Sequence, residues 1–591
     1  MRTWKAGTLY AVALFWAATA STGAAPPSVA DVARSGDLAS VVTLLERGAD
    51  VNAAMGDGMT GLHWSAVSGN AEMAEALIGA GAKLEATTRI GDHTPLHVAT
   101  KAGRANVVKA LVTAGANVNA RTSTGATPLH FAAASGNAES VLLLVENGAE
   151  VNPREPQWGQ TPLMFAAAAG RTEVIEVLLE HGADVSVSAT VVDIVERNKE
   201  DQKQRREHNK RIARLRAMER DPDAGASETT HEDTAQERAA KEKEAEKKAR
   251  EREDAERRAG EPVPLNYAGL VGTQGGLTPL LLAAREGHEA ATMALIKGGA
   301  DVNQLSAADK TSPMLIAMIN GHFDLAMELF GLGADPTLAS EAGATPLYAA
   351  LNMHWAPKSR HPQPAAYMQQ ALTYMDVMET LLKAGVDPNV RLKKTLWFTT
   401  YNRDLLGVGR AGATPFWRAA YALDIPAMKL LLKYGADPNL PTIKVPERRP
   451  DDADDVDRSG LPPVPLGGPA VPPLLAASGV GYGQGFAGNS HRHVPDGWLP
   501  AVQFLVEEVG ADVHARDHDG YNAIHHAAAR GDNELIMYLV EKGVDVTAVS
   551  RSGQTTVDMA NGPVQRVQPF PETIALLESL GAKNNHKCVS C

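Results

Sequence analysis

The sequence predicts an all-α solenoid: about twelve helix-turn-helix units stacked in a row, joined by short β-hairpin connections and interrupted by one charged helical insertion. Three observations predict it. A short phrase recurs along the chain, as TGLHWSAVSGN, HTPLHVATKAGR, ATPLHFAAASGN, QTPLMFAAAAGR, LTPLLLAAREGH and TSPMLIAMINGH. Its equivalent positions are Thr60, Thr94, Thr127 and Thr161, at steps of 34, 33 and 34, and then Thr278, Ser312 and Thr345, at 34 and 33. Each phrase leads into a second apolar stretch closed by GADVN or a variant, as at Gly48 to Asn52, Gly115 to Asn119, Gly299 to Asn303 and Gly435 to Asn439. Only 5% of the residues are aromatic, while alanine and glycine recur, a composition suited to thin layers of paired helices.

One unit shows why the phrase folds this way. Thr127 caps the first helix and Pro128 fits its first turn, where no backbone donor is lost. Leu129, Phe131, Ala132 and Ala133 supply apolar contacts, and Gly136 ends the helix by accepting a left-handed conformation. Val141, Leu142, Leu144 and Val145 give the second helix an apolar stripe, and Gly148 closes it. A single unit cannot bury that face; stacked neighbours can.

The T-P-L-H-x-A phrase at this period resembles the ankyrin repeat, and the likeness, to a bacterial-type exported member of that family, covers most of the chain. The resemblance implies antiparallel helix pairs that bind proteins. It also implies that His63, His97, His130 and His525, which share one repeat position, are structural residues hydrogen-bonding adjacent units. No cysteines or carboxylates stand beside them in a ligand-like spacing.

In chain order, residues 1–24 read as a secretory signal peptide: Arg2 and Lys5, an apolar run from Leu9 to Ala18, then small residues with cleavage after Ala20 or Ala24. The run is shorter than the ~20 residues of a spanning helix, so the expectation is an exported, periplasmic or extracellular monomer with no membrane span after cleavage. Residues 27–187 hold repeats one to five. Residues 188–262 form the charged insertion, helical or partly disordered; residues 193–258 carry 19 basic and 19 acidic side chains. Ile212, Leu215 and Met218 are too few for a sustained coiled-coil seam. Residues 263–582 hold repeats six to twelve, and 583–591 form the tail. The net charge of −13 argues against sequence-independent nucleic-acid binding.

The second half carries four further insertions: NMHWAPKSRHPQPAAYMQQ, RLKKTLWFTTYNRDLLGVGRAG, PTIKVPERRPDDADDVDRSGLPPVPLGGPAVPP and SGVGYGQGFAGNSHRHVPDGW. Repeat-protein insertions map to loops and often to a binding face. Trp355, Trp397, Phe398, Tyr401, Tyr482 and Phe486 are therefore candidate exposed partner contacts, together with hairpin-tip residues Arg121 and Arg154 to Trp158. Two motif fragments fail on context. Gly483, Gly485 and Gly488 fit G-x-G-x-x-G without a βαβ unit. Asp455, Asp457, Ser459 and Gly460 open like a calcium loop, but the twelfth position is Leu466 rather than a bidentate glutamate. No nucleophile elbow or phosphate loop is present.

The expected function is a non-enzymatic interaction scaffold that binds a protein partner through hairpin tips, inner helices and loop insertions, with no cofactor. The alternative is a redox or c-type haem component built on Cys588 and Cys591, the chain's two cysteines. Their spacing resembles the start of C-x-x-C-H, but the sequence has no histidine after Cys591, and His586 lies upstream. A small-loop disulfide or free dithiol on a mobile tail is the plainer expectation.

Overall fold

A computed structural model describes residues 27–220, 264–357, 366–396, 406–446, 456–485, 488–562 and 568–588. Contacts group the chain into two compact units, residues 1–155 and 156–591. The first holds four helix pairs and the second eight, so the described residues contain the twelve repeats that the sequence predicts.

Local chemistry sets each pair. In repeat 3, the first helix Pro95–Lys101 begins at Thr94, whose Oγ1 accepts the His97 N–H, and the second is Ala105–Thr113. In repeat 4, Pro128–Ser135 ends at Gly136, left-handed at φ 82°, and Asn137 caps Ala138–Glu146 by accepting the Ser140 N–H at 2.7 Å. Leu129, Ala132, Ala133, Val141 and Leu144 are buried. Leu142, expected in the apolar stripe, faces outward, and Phe131 is only half-buried.

Two hydrogen-bond devices join successive repeats. The asparagine of GADVN clamps the next turn: Asn119 Nδ2 donates to Gly148 O at 3.0 Å and its Oδ1 accepts the Glu150 N–H at 2.9 Å. Asn303 repeats this on Gly333 and Asp335, and Asn389 on Gly435 and Asp437. Neighbouring hairpin tips within a unit also bond to each other, as Arg89 N–H to Asp57 O and Arg551 N–H to Asp519 O.

The charged insertion does not break the stack within the second unit. Repeat 6 (Pro279–Glu286, Glu289–Lys297) packs directly on repeat 5 (Pro162–Ala168, Thr172–Glu180), first helix on first and second on second. His288 Nε2 reaches Ala168 O at 3.3 Å, and Ala189 N–H donates to Leu277 O at 2.9 Å. The chain leaves and returns through a two-stranded antiparallel sheet, β1 (Val191–Asp193) on β2 (Thr273–Gly275), with Val191 opposite Gly275. Beyond β1, the insertion continues as a helix, Ile194–Arg220, that rests on Tyr267–Val271 at its base. Side chains 199–211 along it are exposed.

From Leu281 to Ala582 one apolar core runs through the second unit. Among the described residues no helix is long and apolar enough to cross a membrane.

Candidate functional site

In repeats 2 and 3 the recurring histidine is a strut to the next repeat, whereas His525 bonds its own cap Asn522 and its buried Nε2 has no partner among the described residues. Thr94 N–H donates to His97 Nδ1 at 3.2 Å, so that nitrogen is the acceptor and the ring proton sits on Nε2. Nε2 in turn donates to Ala120 O, on the turn leading to the next repeat, at 3.1 Å. His63 does the same between Thr60 and His93 O. Burial, with His93 nearby, pushes His97 down to about 4, and burial pushes His525 down to about 3, so both rings stay neutral near pH 7.

Two of the loop aromatics, Trp355 and Tyr482, fold partly inward instead of standing fully exposed. Trp355 follows the first helix of repeat 8 (Pro346–His354) and is half-buried; its Nε1 donates to Asp424 Oδ2 at 2.8 Å. Tyr374 donates its hydroxyl to the same oxygen at 2.7 Å, while Asp424 Oδ1 caps Ile425–Lys433 by accepting the Ala427 N–H. Tyr482 is also half-buried. Arg530 lies 5.6 Å from its ring and 3.7 Å from that of Trp498. A loop aromatic with a polar edge is stabilised by a buried carboxylate or guanidinium, and these two found one. Trp397, Phe398, Tyr401 and Phe486 lie outside the described residues.

Beside this cluster, repeat 9 (Pro415–Tyr421, Ile425–Lys433) buries Arg418, whose Nε donates to Asn352 Oδ1 at 2.9 Å and whose guanidinium lies 5.8 Å from the Tyr421 ring. Arg410, equally buried, lies 5.5 Å from the same ring. These contacts tie the long loops to the helices.

The motif fragments resolve the same way. A Cβ on Gly485 would collide with Leu406 backbone and one on Gly483 with Met559, so these glycines permit close packing rather than phosphate approach. Asp457 is satisfied by Ser459 and Arg551, and Asp455 lies outside the described residues. Among the described residues no group of three or more histidine, cysteine or acidic side chains could hold a metal.

The tail is docked rather than loose. Asp558, fully buried in the first helix of repeat 12 (Thr556–Ala560), accepts the Asn585 N–H at 3.1 Å and the Lys587 N–H at 3.3 Å. Gln554 Nε2 donates to Lys587 O at 2.8 Å. Cys588 is in a disulfide, so its sulfur is not a free thiol for a haem thioether, and Cys591 lies outside the described residues.

Of the sequence candidates, the hairpin-tip residues Arg121, Arg154 and Trp158 are exposed. Arg121 braces its own hairpin through Gly125 O at 3.2 Å and lies 3.7 Å from Glu150, both side chains solvated. Arg154 is exposed, as is Trp158 at 43%. The most pronounced feature, which the sequence reading passed over, belongs to the first unit: Ile90 is 86% exposed at the tip between repeats 2 (Gly61–Ser68, Ala71–Gly79) and 3. It borders a hollow of ≈ 310 Å³ lined also by Asp57, Met59, Thr88, His93, Val98 and Lys101. The tip is held rigidly. Arg89 Nη1 donates to Gly56 O at 2.7 Å, Thr88 Oγ1 to Ile90 O at 2.9 Å, and Asp92 takes a left-handed conformation at φ 51°. His93 makes edge contacts with His97 and Phe131, and burial with the nearby Lys101 charge keeps it below its ordinary pKa. The hollow thus offers an apolar floor between one carboxylate and one ammonium.

Comparison with known proteins agrees with this architecture. The family described as "Ankyrin repeats (3 copies)" matches residues 30–122, 115–189 and 491–569, and "Ankyrin repeat" matches 275–307. The chain is 40% identical over 52 residues to human Notch-regulated ankyrin repeat-containing protein, covering 9% of this chain and 45% of that one. It is 35% identical over 69 residues to mouse protein phosphatase 1 regulatory subunit 27, covering 12% and 44%. The rat ankyrin repeat and SAM domain-containing protein 6 is 35% identical over 85 residues, covering 14% of this chain and 9% of that protein. The chain therefore spans less than half the length of these relatives. All are animal proteins, and the bacterial-type exported subgroup finds no support among them. The solved human ASB11 ankyrin repeat domain is 20% identical and covers 51% of this chain and 96% of that one, with a TM-score of 0.33. The threonine caps, histidine struts, asparagine clamps and matched segments together show that the chain carries ankyrin repeats over residues 30–189, 275–307 and 491–569.

Proposed function

We propose that the protein is an exported, monomeric, non-enzymatic scaffold that binds a protein partner through its hairpin tips and inner helices, with the Ile90 hollow as the principal contact. The carrying observation is a large apolar side chain at 86% exposure on a tip whose backbone is fixed by its neighbours. Exposed apolar anchors over a preformed hollow are where binding energy concentrates, because little ordering remains to be done on association. Arg121 and Arg154 extend the contact as polar tip residues of the first unit, and Trp158 is a separate exposed candidate contact on the second. Export rests on the leader-like segment up to Ala24, and an intact mass of the mature chain beginning after Ala20 or Ala24 tests it.

The binding reading is tested by affinity capture and quantitative proteomics with the wild type and Ile90→Asp. The substitution sits in solvent, so folding and melting stay unchanged; the enriched partner is expected to fall at least about tenfold, a loss of about 1.4 kcal/mol or more. Equal enrichment by both proteins overturns the assignment of this contact.

A further inference from the structure

Residues 456–465, in the proline-rich insertion ahead of repeat 10 (Pro473–Ala477, Trp498–Gln503), lie against the hairpin tips leading into repeats 11 (Ala523–Ala528, Asn533–Glu541) and 12 (Thr556–Ala560, Pro571–Ser579). One side chain does most of the holding. Arg551, on the repeat 12 tip, donates through Nε to His518 O at 2.7 Å, bracing the neighbouring tip. Its Nη1 pairs with Asp457 and reaches Leu461 O at 3.3 Å, and its Nη2 donates to Pro462 O at 2.6 Å. Arg458 replies with its N–H to Arg551 O at 3.0 Å and its Nη1 to Ser552 O at 3.3 Å.

The two glycines at the tips show how close the approach is. A Cβ on Gly520 would touch Leu461 Cδ1 at 3.5 Å, and one on Gly553 would meet Arg458 Cδ at 2.8 Å. The segment suits such a seat: Pro462, Pro463 and Pro465 have no N–H and a fixed φ, so it presents carbonyls from an extended backbone that loses little entropy on docking. Yet it is held shallowly. Residues 456–458, 462 and 463 are exposed, and Val456 and Leu466 point into solvent at 60% and 50%.

We propose that the tips of repeats 11 and 12 form a second docking surface, selective for an extended, proline-containing peptide with an acidic residue, and that residues 456–465 occupy it in cis and keep it closed. The proposal rests on the reading of hairpin tips as partner surfaces, but it uses none of the residues around Ile90. The segment itself displays what the surface recognises: a carboxylate for Arg551, two successive carbonyls four and five residues further on, and a leucine over Gly520. A tethered occupant competes at a high effective concentration, so a free ligand of the same chemistry binds well only when the segment is released.

The test titrates a fluorescent peptide of residues 456–466 into three full-length proteins: the wild type, a variant with residues 456–465 replaced by a Gly/Ser segment of equal length, and that variant with Arg551→Ala. The peptide is expected to bind the replaced chain at least about tenfold more tightly than the wild type, and Arg551→Ala to abolish the gain. Equal affinity for wild type and replaced chain overturns the proposal, as does absence of binding to a replaced chain with wild-type circular dichroism and melting. Asp457→Ala, an exposed single substitution, is the second variant: it raises peptide affinity several-fold, and an unchanged affinity counts as failure. Ile90→Asp leaves peptide binding untouched, so failure here is separable from failure of the Ile90 contact.

Discussion

A histidine at the third position of the first helix ties repeat to repeat only while it is neutral. Its Nδ1 accepts from the capping residue, as in Thr94 N–H to His97, and a second proton there breaks that bond. Burial lowers His97 to about 4, whereas the unfolded ring titrates near 6.5. The unfolded state therefore binds more protons between these values, and stability rises with pH across that window. Acidification from about pH 6.5 to about pH 4 is expected to lower the urea midpoint progressively, each such ring contributing up to about 1.4 kcal/mol per pH unit. Urea titrations at stepped pH check this, and His97→Asn should flatten the slope; a midpoint independent of pH over the window refutes the strut's protonation logic. The asparagine clamps are a different case: GADVN is plain in the sequence, but its partner lies about thirty residues on, as Asn119 and Gly148 do, so its bonding role became visible only in three dimensions.

At the scale of elements, the charged insertion hangs from a two-stranded base while repeats 5 and 6 pack on each other. Replacing residues 194–272 with a two-residue Asn-Gly turn, which matches the twist of the retained strands, is expected to leave the unfolding midpoint within about 0.5 kcal/mol of the wild type while removing the helical signal of Ile194–Arg220. Chemical denaturation followed by circular dichroism checks both. Threonine caps, proline starts and glycine stops were legible because they act within one or two turns. Loop aromatics were not. Trp355 and Tyr482 read as exposed because they stand in insertions that map to loops, and the groups that draw them in, Asp424 and Arg530, lie 69 and 48 residues away along the chain. Ile90 was missed for the opposite reason: one apolar residue in a polar tip makes no pattern until its exposure is measured.

Across the whole molecule, the contact of repeat 12 with the tail reverses the chemistry of the histidine struts in repeats 2 and 3. Asp558 stands where His97 stands in its repeat, and it accepts N–H groups of the tail where His97 donates to the Ala120 carbonyl. Truncation after Ala582 strips two donors from a buried carboxylate and is expected to cost about 1–3 kcal/mol. Hydrogen exchange should show the loss as faster exchange confined to repeats 11 and 12, and unchanged protection there refutes the capping role. The stacking of repeat 6 on repeat 5 has a further consequence, for the order in which the chain folds. Elsewhere in the second unit an array can close like a zipper, each repeat meeting a partner made moments before. Here β1 must wait for β2, and the zipper crosses a closure of about eighty residues, whose entropy grows only logarithmically with length. That makes the seam slow to form and inexpensive to keep, a place where synthesis can pause without the finished array being weaker for it.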